Sequence, residues 1–451
     1  MTRSILWFRR DLRLHDHPAL NAAVEEAGAD GVVPLFVVEP KLWEDAGDSR
    51  RRWLAANLRS LDEACNGRLT VRMGEPEKVL AQVSREQKAA TVHISRETTP
   101  HGRRRDERVR KSLGQDARLT ETGTPYAIGP GVILNGSGTP YKVFTPFSRA
   151  WRDHGWPAPA ERPKRIHWVD AGSDDDAVRK ITEASTGHLD FEVGEDAAMD
   201  RWADFLDGPV DSYGTDRDRP AVDGTSRLSP YLKLGVLHPR TLLADLARKR
   251  SDGAGTYRTE IAWREFYADV LWHNPRSSWH DLRDALPTMQ YDDPSDAVEA
   301  WKAGRTGYPI VDAGMRQLLE TGWMHNRLRM ITASFLTKDL HVWWPVGARH
   351  FMDHLVDGDL ASNNHGWQWV AGTGTDASPY FRVFNPVTQG QKFDPDGAYV
   401  RRWVPELRHL SGKKTHEPWS TDGGYEHDYP QRIVDHAEER NEALHRYEQA
   451  R

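Results

Sequence analysis

The first 125 residues alternate short β-rich runs with helical segments, and this alternation limits the possible folds more than any other feature of the chain. Five runs are predicted as strands: residues 5–8, 31–38, 69–72, 91–95 and 118–121. Segments with helical spacing, such as 19–27 and 53–64, lie between them. The alternation predicts a doubly wound parallel sheet, whose ligands bind at the carboxyl ends of the strands. No G-x-G-x-x-G fingerprint follows the first run, so a dinucleotide in the usual mode is not indicated.

The 451 residues are too many for one hydrophobic core, so two domains are expected. We predict an α/β domain over residues 1–125 and an all-α domain over residues 196–451. Residues 126–195, rich in Gly, Pro and acidic side chains, show little periodicity and are predicted to be a surface connector. Helices of the second domain are expected at 239–249, 260–273, 309–320, 327–338 and 348–356.

Composition excludes several classes of protein. No run of eighteen apolar residues exists, so a membrane span is not expected. The single cysteine, Cys65, cannot form an internal disulfide, which indicates a reducing, cytoplasmic setting. The net charge of −6 argues against a purely electrostatic nucleic-acid binder. The basic segment 101–111 could still meet phosphates.

Residues 357–369 combine two carboxylates, two adjacent amides and two tryptophans. Their spacing fits neither an amphipathic helix nor an alternating strand. Polar groups beside large rings are expensive to bury unless something polar pairs with them, so we interpret the stretch as the wall of a pocket for a flat heteroaromatic ligand. A tryptophan-rich core is the alternative for most of the nine tryptophans between Trp263 and Trp369.

Two further segments combine polar groups with a predicted helix start. Residues 224–230 place hydroxyls and an arginine just before a helix, which suits phosphate binding or an ordinary helix cap. In residues 323–330, Asn326 and Arg329 share one face, as do Asn326 and Met330. Arg329 could hold a charged planar ligand with Asp357 as its partner, although a solvated surface helix is equally possible.

Glu260 and Trp263 lie one turn apart on a predicted helix. A carboxylate can bond the edge of a nucleobase while an indole stacks on its ring, as happens with a flipped-out base. The alternative is a glutamate near a helix N-terminus, favoured by the helix dipole, above a core tryptophan.

Together these segments resemble the photolyase/cryptochrome flavoprotein family over nearly the whole chain. The motifs that carry the resemblance are Trp7-Phe-Arg-Arg-Asp-Leu-Arg-Leu-His15, Gly224-Thr-Ser-Arg-Leu-Ser229, Trp263-Arg-Glu-Phe-Tyr267, Thr306-Gly-Tyr-Pro-Ile-Val-Asp312, Trp323-Met-His-Asn-Arg-Leu-Arg-Met330, Asp357-Gly-Asp359, Asn363-Asn364, Trp367-Gln-Trp369 and Phe384-Asn-Pro386. Within the family the chain most resembles class I cyclobutane pyrimidine dimer photolyases. The resemblance implies a Rossmann-like antenna domain followed by a helical FAD-binding domain.

The resemblance implies a U-shaped FAD in the helical domain. Its phosphates and ribose would be held by Tyr213, Thr225, Ser226, Arg227, Leu228 and Ser229. Its flavin and adenine would be lined by Trp323, Asn326, Arg329, Asp357, Gly358, Asp359 and Asn363. Asn363 would stand at the redox-active edge of the flavin, where plant-type cryptochromes carry Asp and animal types Cys, so it favours repair over signalling.

The implied function is light-driven repair of cyclobutane pyrimidine dimers by electron transfer from photoexcited reduced FAD, with ring splitting and electron return. The alternative is a blue-light photoreceptor that signals through a partner. The flipped dimer would meet Glu260, Trp263, Asn326, Met330 and Trp369. Photolyases for the pyrimidine–pyrimidone photoproduct carry histidines at the positions of Asn326 and Met330. The implied contacts with DNA phosphates are Arg217, Arg264, Arg327 and Arg382. UV-damaged DNA is the expected partner, the chain is expected to be monomeric, and no metal ion is expected.

The resemblance also implies an electron-transfer chain and an antenna chromophore. Trp367 and Trp344 match the two inner members of the chain, and Tyr291 stands where the third member is usually Trp. Residues 100–106 and Lys233 resemble the deazaflavin-binding type of antenna site, because the folate type has an acidic residue at Gly102. Phe36, Arg50 and Lys233 would be contacts, and deazaflavin ranks ahead of FMN and methenyltetrahydrofolate.

Overall fold

The structure is a computed structural model that describes residues 3–376 and 382–450. The chain forms two compact units. The first unit comprises Met1–Tyr141, Thr145–Asp211 and Ser226–Pro275, and the second comprises Lys142–Phe144, Ser212–Thr225 and Arg276–Arg451. The domain boundaries predicted at residues 125 and 195 stay a prediction.

The first unit contains a five-stranded parallel sheet, which confirms the predicted α/β architecture. The strands are β1 Arg3–Phe8, β2 Val32–Val38, β3 Thr70–Met73, β4 Ala89–Ile94 and β5 Arg118–Glu121. Their order is β3-β2-β1-β4-β5, and the central residue Ile5 pairs with Val33 on one side and Val92 on the other. Every residue of β2 is buried because helices cover both faces of a parallel sheet, and such strands read as continuous apolar runs.

Five helices connect these strands. They are α1 Pro18–Ala27, α2 Pro40–Glu44, α3 Asp48–Ala64, α4 Pro76–Gln87 and α5 Pro100–Leu113. Four of them have proline in the first turn, where the missing N–H has no helical partner to lose. Cys65, at the end of α3, is fully buried, and burial raises the pKa of its thiol.

Seven helices follow before residue 275. They are α6 Phe144–His154, α7 Asp175–Ala184, α8 Glu195–Leu206, α9 Pro209–Asp216, α10 Ser229–Leu234, α11 Pro239–Leu246 and α12 Asp252–His273. The expectation that residues 126–195 lack periodic structure was therefore wrong for α6 and α7. The Ser251 side chain caps α12 by accepting from Ala254 N–H, so Glu260 lies two turns inside that helix. The interpretation of Glu260 as a helix N-terminal glutamate was wrong for this reason.

The second unit is helical. Its helices are α13 Ser295–Lys302, α14 Pro309–Thr321, α15 Asn326–Ser334, α16 Trp344–His354, α17 Leu360–Ala371, α18 Pro386–Phe393, α19 Ala398–Trp403 and α20 His436–Ala450. A π-helical turn, Phe335–Asp339, extends α15. The prediction for α14 is confirmed, with Pro309 in its first turn and Gly322 closing it at φ +68°. Short 3-10 turns lie at Gly28–Asp30, Pro275–Ser278, Pro405–Leu407, Gly412–His416 and Pro418–Ser420.

Residues 360–369 lie in α17, so the stretch is helical although its spacing is not that of an amphipathic helix. The buried residues of α17 are Ala361, Asn364, His365, Trp367, Gln368 and Val370. They surround most of the helix, and a helix buried on several sides has no amphipathic stripe to detect. Within residues 3–376 and 382–450, no helix has the length and apolar character that a membrane crossing requires.

Candidate functional site

An ion pair joins Arg329 of α15 to Asp357, which precedes α17, and lies in the second unit. We call Arg329, Asp357, Asn363 and His325 the polar cluster. Arg329 Nη2 lies 2.8 Å from Asp357 Oδ2, and Arg329 Nε donates to the Met324 carbonyl at 2.8 Å. The Asp357 side chain is 2% exposed. The predicted pairing of Arg329 with Asp357 is confirmed.

The second carboxylate oxygen of Asp357 is buried and has no hydrogen-bond partner among the described residues. An acceptor left in this state costs about 1–3 kcal/mol, more when it is charged. A ligand that carries an N–H or O–H group would satisfy it. This oxygen therefore fits a polar heteroaromatic ligand at the Arg329–Asp357 pair.

Asn363 is held by its amide nitrogen. Nδ2 donates to the Ala348 carbonyl at 3.2 Å and to Asn364 Oδ1 at 2.8 Å. The Asp359 side chain caps α17 by accepting from Ser362 N–H at 3.0 Å, which fixes the helix start. Because both hydrogens of the Asn363 nitrogen are used, its carbonyl oxygen remains as the group that can accept from a ligand.

His325 is a polar residue of this cluster that the sequence reasoning missed. It caps α15 by accepting from Arg327 N–H at 3.1 Å, and burial lowers its pKa to about 4, so the imidazole is neutral. Its place just before a helix rich in arginine was the available signal. Arg327 pairs with Asp218 at 2.6 Å and lies 4.4 Å over the Phe393 ring.

The remaining predicted residues of the second unit differ in exposure. Asn326 is exposed, and Met330 and Trp369 are partly exposed. Tyr213 and Trp323 are buried, and the Arg217 guanidinium lies 5.5 Å over the Tyr213 ring. Arg382 is exposed, and its carbonyl accepts a hydrogen bond from the buried Lys338. Gly358 separates Asp357 from the cap residue Asp359.

In the first unit, Glu260 and Trp263 lie on a partly exposed stripe of α12. The Trp263 ring packs against Tyr267 with centroids 5.3 Å apart. Burial raises the pKa of the Tyr257 phenol, and the Glu260 carboxylate one turn away raises it further. The Tyr257 hydroxyl is 2.8 Å from Ser226 Oγ, so the two predicted segments 224–230 and 260–263 are linked through a buried tyrosine.

The segment before α10 is held by backbone and hydroxyl groups. Arg201 Nε donates to the Ser226 carbonyl at 2.7 Å, and Leu228 N–H donates to Ser226 Oγ at 3.3 Å. Arg227 has φ +50° and places its guanidinium 4.8 Å over the Phe191 ring. Thr225 is partly buried and Ser229 is exposed at the helix start.

Arg264 of the same helix is anchored within the first unit. It donates to the carbonyls of Pro125 at 3.1 Å and Leu232 at 3.0 Å, and it lies 4.4 Å over the Tyr126 ring. Its neighbour Glu265 is 2% exposed. It accepts from three backbone N–H groups of residues 127–129 and from the Trp151 indole.

The three residues predicted for the electron-transfer chain, Trp367, Trp344 and Tyr291, all lie in the second unit, and we call them the oxidisable series. Trp367 is 3% exposed and lies 5.0 Å from the Phe351 ring. A side chain at Gly347 of α16 would clash with the Trp367 ring, so this ring lies directly against that helix one turn after Trp344. Trp344 is fully buried, and it lines a cavity of about 20 Å³ together with Tyr291, which is 39% exposed.

The predicted antenna contacts lie in three elements of the first unit, which also contains a charged network. Phe36 is buried near the end of β2, Arg50 lies in α3 and Lys233 lies in α10. Arg105 pairs with Glu39 at 2.6 Å. A side chain at Gly102 would clash with the Glu97 side chain, so Glu97 would have to move to admit one. The Arg9–Asp106 pair, at 2.7 Å, belongs to the same network. The mixture of charges in residues 100–106 was the signal for this network, but sequence could not identify its partners.

Two family models match this chain. The model described as DNA photolyase matches residues 4–164, and the model described as FAD binding domain of DNA photolyase matches residues 257–449. Deoxyribodipyrimidine photo-lyase of Escherichia coli K12 is 40% identical over 477 residues, which cover 100% of this chain and 99% of that protein.

Two solved structures of relatives also match this chain over nearly its whole length. A bacterial class III photolyase from Agrobacterium tumefaciens is 37% identical with a TM-score of 0.92, covering 100% of this chain and 98% of that one. An archaeal photolyase from Sulfolobus tokodaii, solved with two FAD molecules, is 30% identical with a TM-score of 0.87, covering 99% of this chain and 100% of that one. The assignment to class I stays a prediction.

Proposed function

This chain belongs to the DNA photolyase family, and we propose that it is a deoxyribodipyrimidine photo-lyase that repairs cyclobutane pyrimidine dimers in UV-damaged DNA. The observation that carries the proposal is the similarity over full length to relatives with that name, at about 40% identity. The repair reaction needs a light-absorbing electron donor and a pocket for a flipped pyrimidine dimer. The residues described above supply candidates for both.

FAD is the cofactor, and the second unit offers groups that fit it. The unsatisfied, buried oxygen of Asp357 would accept from the cofactor, and Arg329 would hold its charge. The carbonyl oxygen of Asn363 would accept from a protonated flavin nitrogen. When bound and reduced, FAD supplies the electron that splits the cyclobutane ring on illumination and receives it back. Trp323, Asp359 and the residues Tyr213, Thr225, Ser226, Arg227, Leu228 and Ser229 are further proposed contacts.

Glu260 and Trp263 are our proposed lesion contacts in the first unit. The carboxylate of Glu260 would accept from a base edge of the dimer, and the partly exposed Trp263 ring would stack on the lesion. Asn326, Met330 and Trp369 are further proposed contacts of the dimer. Extrusion of a damaged base costs less than extrusion of an intact one, which would favour dimers without reading of sequence.

Arginines that meet DNA phosphates would fix the register of the duplex. Arg382 is exposed and Arg217 partly so, which suits this role. Arg327 is paired with Asp218, and Arg264 already donates to two backbone carbonyls. We therefore expect the exposed Arg382 to contribute more to DNA affinity than Arg264 does.

An antenna chromophore is proposed at the carboxyl edge of the sheet, with deazaflavin ranked ahead of FMN and methenyltetrahydrofolate. Phe36, Arg50 and Lys233 are its proposed contacts. Gly102, which stands where the folate type has an acidic residue, supports the ranking against folate. We also propose that the protein is a monomer and that it acts in the cytoplasm. The proposed location rests on its single cysteine, Cys65, which is free and buried.

The decisive experiment is anaerobic repair of a dimer-containing oligonucleotide under blue light, with a dark control and with the absorption spectrum recorded. Light-dependent loss of dimers by protein with a flavin spectrum is the expected result. Glu260→Gln should slow repair about tenfold or more while FAD content stays unchanged, because one hydrogen bond to a charged acceptor is worth about 1.5–3 kcal/mol. Glu63→Gln, on an exposed part of α3, is the matched control. Flavin without repair, even after chemical reduction, would move the function to a photoreceptor.

A further inference from the structure

Asp281 places a negative charge against a buried indole. Its Oδ1 accepts a hydrogen bond of 2.6 Å from Trp344 Nε1–H. Trp344 is fully buried, and Asp281 is only partly exposed. A backbone carbonyl or an amide oxygen would satisfy an indole N–H equally well, and burial of a carboxylate carries an additional cost. The charge, and not the hydrogen bond alone, is therefore the property that needs an explanation.

Trp344 occupies the middle of the oxidisable series. On its inner side, Gly347 lets the Trp367 ring pack directly against α16. On its outer side, Trp344 shares the small cavity with Tyr291. Arg446 of α20 fixes the residues that flank Tyr291, because it donates to the Gln290 carbonyl and to both oxygens of Asp292. The series therefore runs from a buried indole to an anchored tyrosine that is 39% exposed.

We propose that Asp281 determines where the positive charge rests after photo-oxidation. Its carboxylate stabilises the oxidised, cationic form of Trp344, so the charge moves from Trp367 to Trp344. The inference rests on the proposed function, since the oxidant is a photoexcited, oxidised flavin. Trp367 gives one electron to that oxidant and becomes a radical cation. Trp344 then gives one electron to Trp367, which returns to its neutral form. The Nε1 proton stays on Trp344, held by Asp281.

The same carboxylate discriminates between Trp344 and Tyr291. Oxidised tyrosine sheds its phenolic proton and is a neutral radical, so a nearby anion gives it no Coulombic stabilisation. The oxidised indole keeps its positive charge and gains from the anion. Burial, followed by the Asp281 charge, raises the pKa of the Tyr291 phenol, so the phenol is protonated before it is oxidised. Asp281 thus favours Trp344 as the site where the charge rests.

The test measures radical lifetimes in the flavin-loaded protein by transient absorption, in a Tyr291→Phe background that removes the outer step. Asp281→Asn keeps the shape and the acceptor oxygen but removes the charge. We expect the charge-separated lifetime to shorten at least about tenfold, because the charge returns to Trp367 and recombines. Asp281→Glu should restore most of the lifetime. Equal lifetimes with Asp and Asn at this position would overturn the proposal.

Two controls separate an electrostatic effect from a structural one. In a Trp344→Phe background, Asp281→Asn should change nothing, and an undiminished effect there would overturn the proposal. A second readout needs no cofactor: the indole ¹H–¹⁵N NMR signal of Trp344, assigned by its loss in Trp344→Phe, should move upfield in Asp281→Asn as the charge-assisted hydrogen bond weakens. An unmoved signal would also count against it.

The outcomes distinguish this inference from the proposed function. Chemically reduced Asp281→Asn protein should repair dimers like the wild type, because repair by reduced cofactor does not use the series. If the wild-type protein fails to repair dimers while Asp281→Asn shows the expected loss of lifetime, the proposed function is refuted and the role of Asp281 stands. Normal repair with unchanged lifetimes would refute Asp281 alone.

Discussion

Replacement of Glu265 by alanine should unfold one specific segment of the first unit. The carboxylate accepts from Ile128 N–H at 2.8 Å and Gly129 N–H at 2.6 Å through Oε1. Through Oε2 it accepts from Ala127 N–H at 3.2 Å and the Trp151 indole at 2.9 Å. Burial raises the pKa of Glu265, while its N–H partners lower it. All four partners are donors, so the site is built for the ionised form.

The size of the effect follows from these four donors. Each buried donor without a partner costs about 1–3 kcal/mol, and water entering the vacated space recovers part of this. About 1 kcal/mol for each donor gives a loss of about 4 kcal/mol for Glu265→Ala. Since 1.4 kcal/mol corresponds to a factor of ten, amide hydrogen exchange at residues 127–129 should accelerate about a thousandfold.

Native-state hydrogen exchange is the suitable assay, because a chain with two compact units need not unfold in one step. Glu63→Ala, at an exposed position, is the control and should leave exchange at residues 127–129 unchanged. Trp151→Phe removes one donor, so its cost and that of Glu265→Gln should be less than additive in the double variant. Acceleration of less than tenfold in Glu265→Ala would refute the assignment of these hydrogen bonds as the anchor of the segment.

Three further outcomes are expected in the second unit. Asp357→Asn should lower FAD content after purification at least tenfold, because Arg329 loses its charged partner; equal flavin absorbance per protein would contradict this. Burial lowers the pKa of His365 to about 4 from 6.5, so its stabilising contribution is complete above pH 6.5 and is lost as pH falls towards 4. His365→Gln should therefore reduce the slope of unfolding free energy against pH in that window by up to about 1.4 kcal/mol per pH unit, and an unchanged slope would argue against a neutral buried imidazole. Gly347→Ala should destabilise the protein by about 1–3 kcal/mol, because the added methyl group would overpack the contact with the Trp367 ring. The matched control is Gly366→Ala, whose methyl group meets no atom within 4 Å and which should stabilise the protein by about 0.5–1 kcal/mol. Equal melting temperatures of these two variants would refute the contact between Gly347 and Trp367.

The elements that sequence predicted well are those with a local cause. All five strands were found, and β1 and β2 are nearly continuous apolar runs because parallel strands covered on both faces are buried, whereas the edge strand β5 is partly exposed. Helix α14 was found because proline and glycine mark its two ends. Helices α6 and α7 were missed among prolines and acidic residues, and α17 was missed because burial on several sides removes its stripe.

The residues of the candidate site also divide into those with a signal in the sequence and those without one. The Arg329–Asp357 pair was predicted because a buried arginine needs a carboxylate. The role of Glu265 could not be predicted, because its partners lie 114–138 residues away in the sequence and look like an ordinary loop. Asp281 was missed for a related reason. Nothing near it in the sequence indicates that its carboxylate meets an indole 63 residues later.

Because Cys65 is buried, introduced cysteines in the natural chain can be labelled selectively with thiol reagents. Its thiol is sealed from solvent, and its raised pKa keeps it in the unreactive protonated form. Maleimide reagents should therefore leave the unaltered protein unlabelled. A cysteine introduced at the exposed Leu42 or Leu319 would then take a dye without removal of any native residue. One such label in each unit would let single-molecule fluorescence follow both units during a light cycle, in the protein's own sequence.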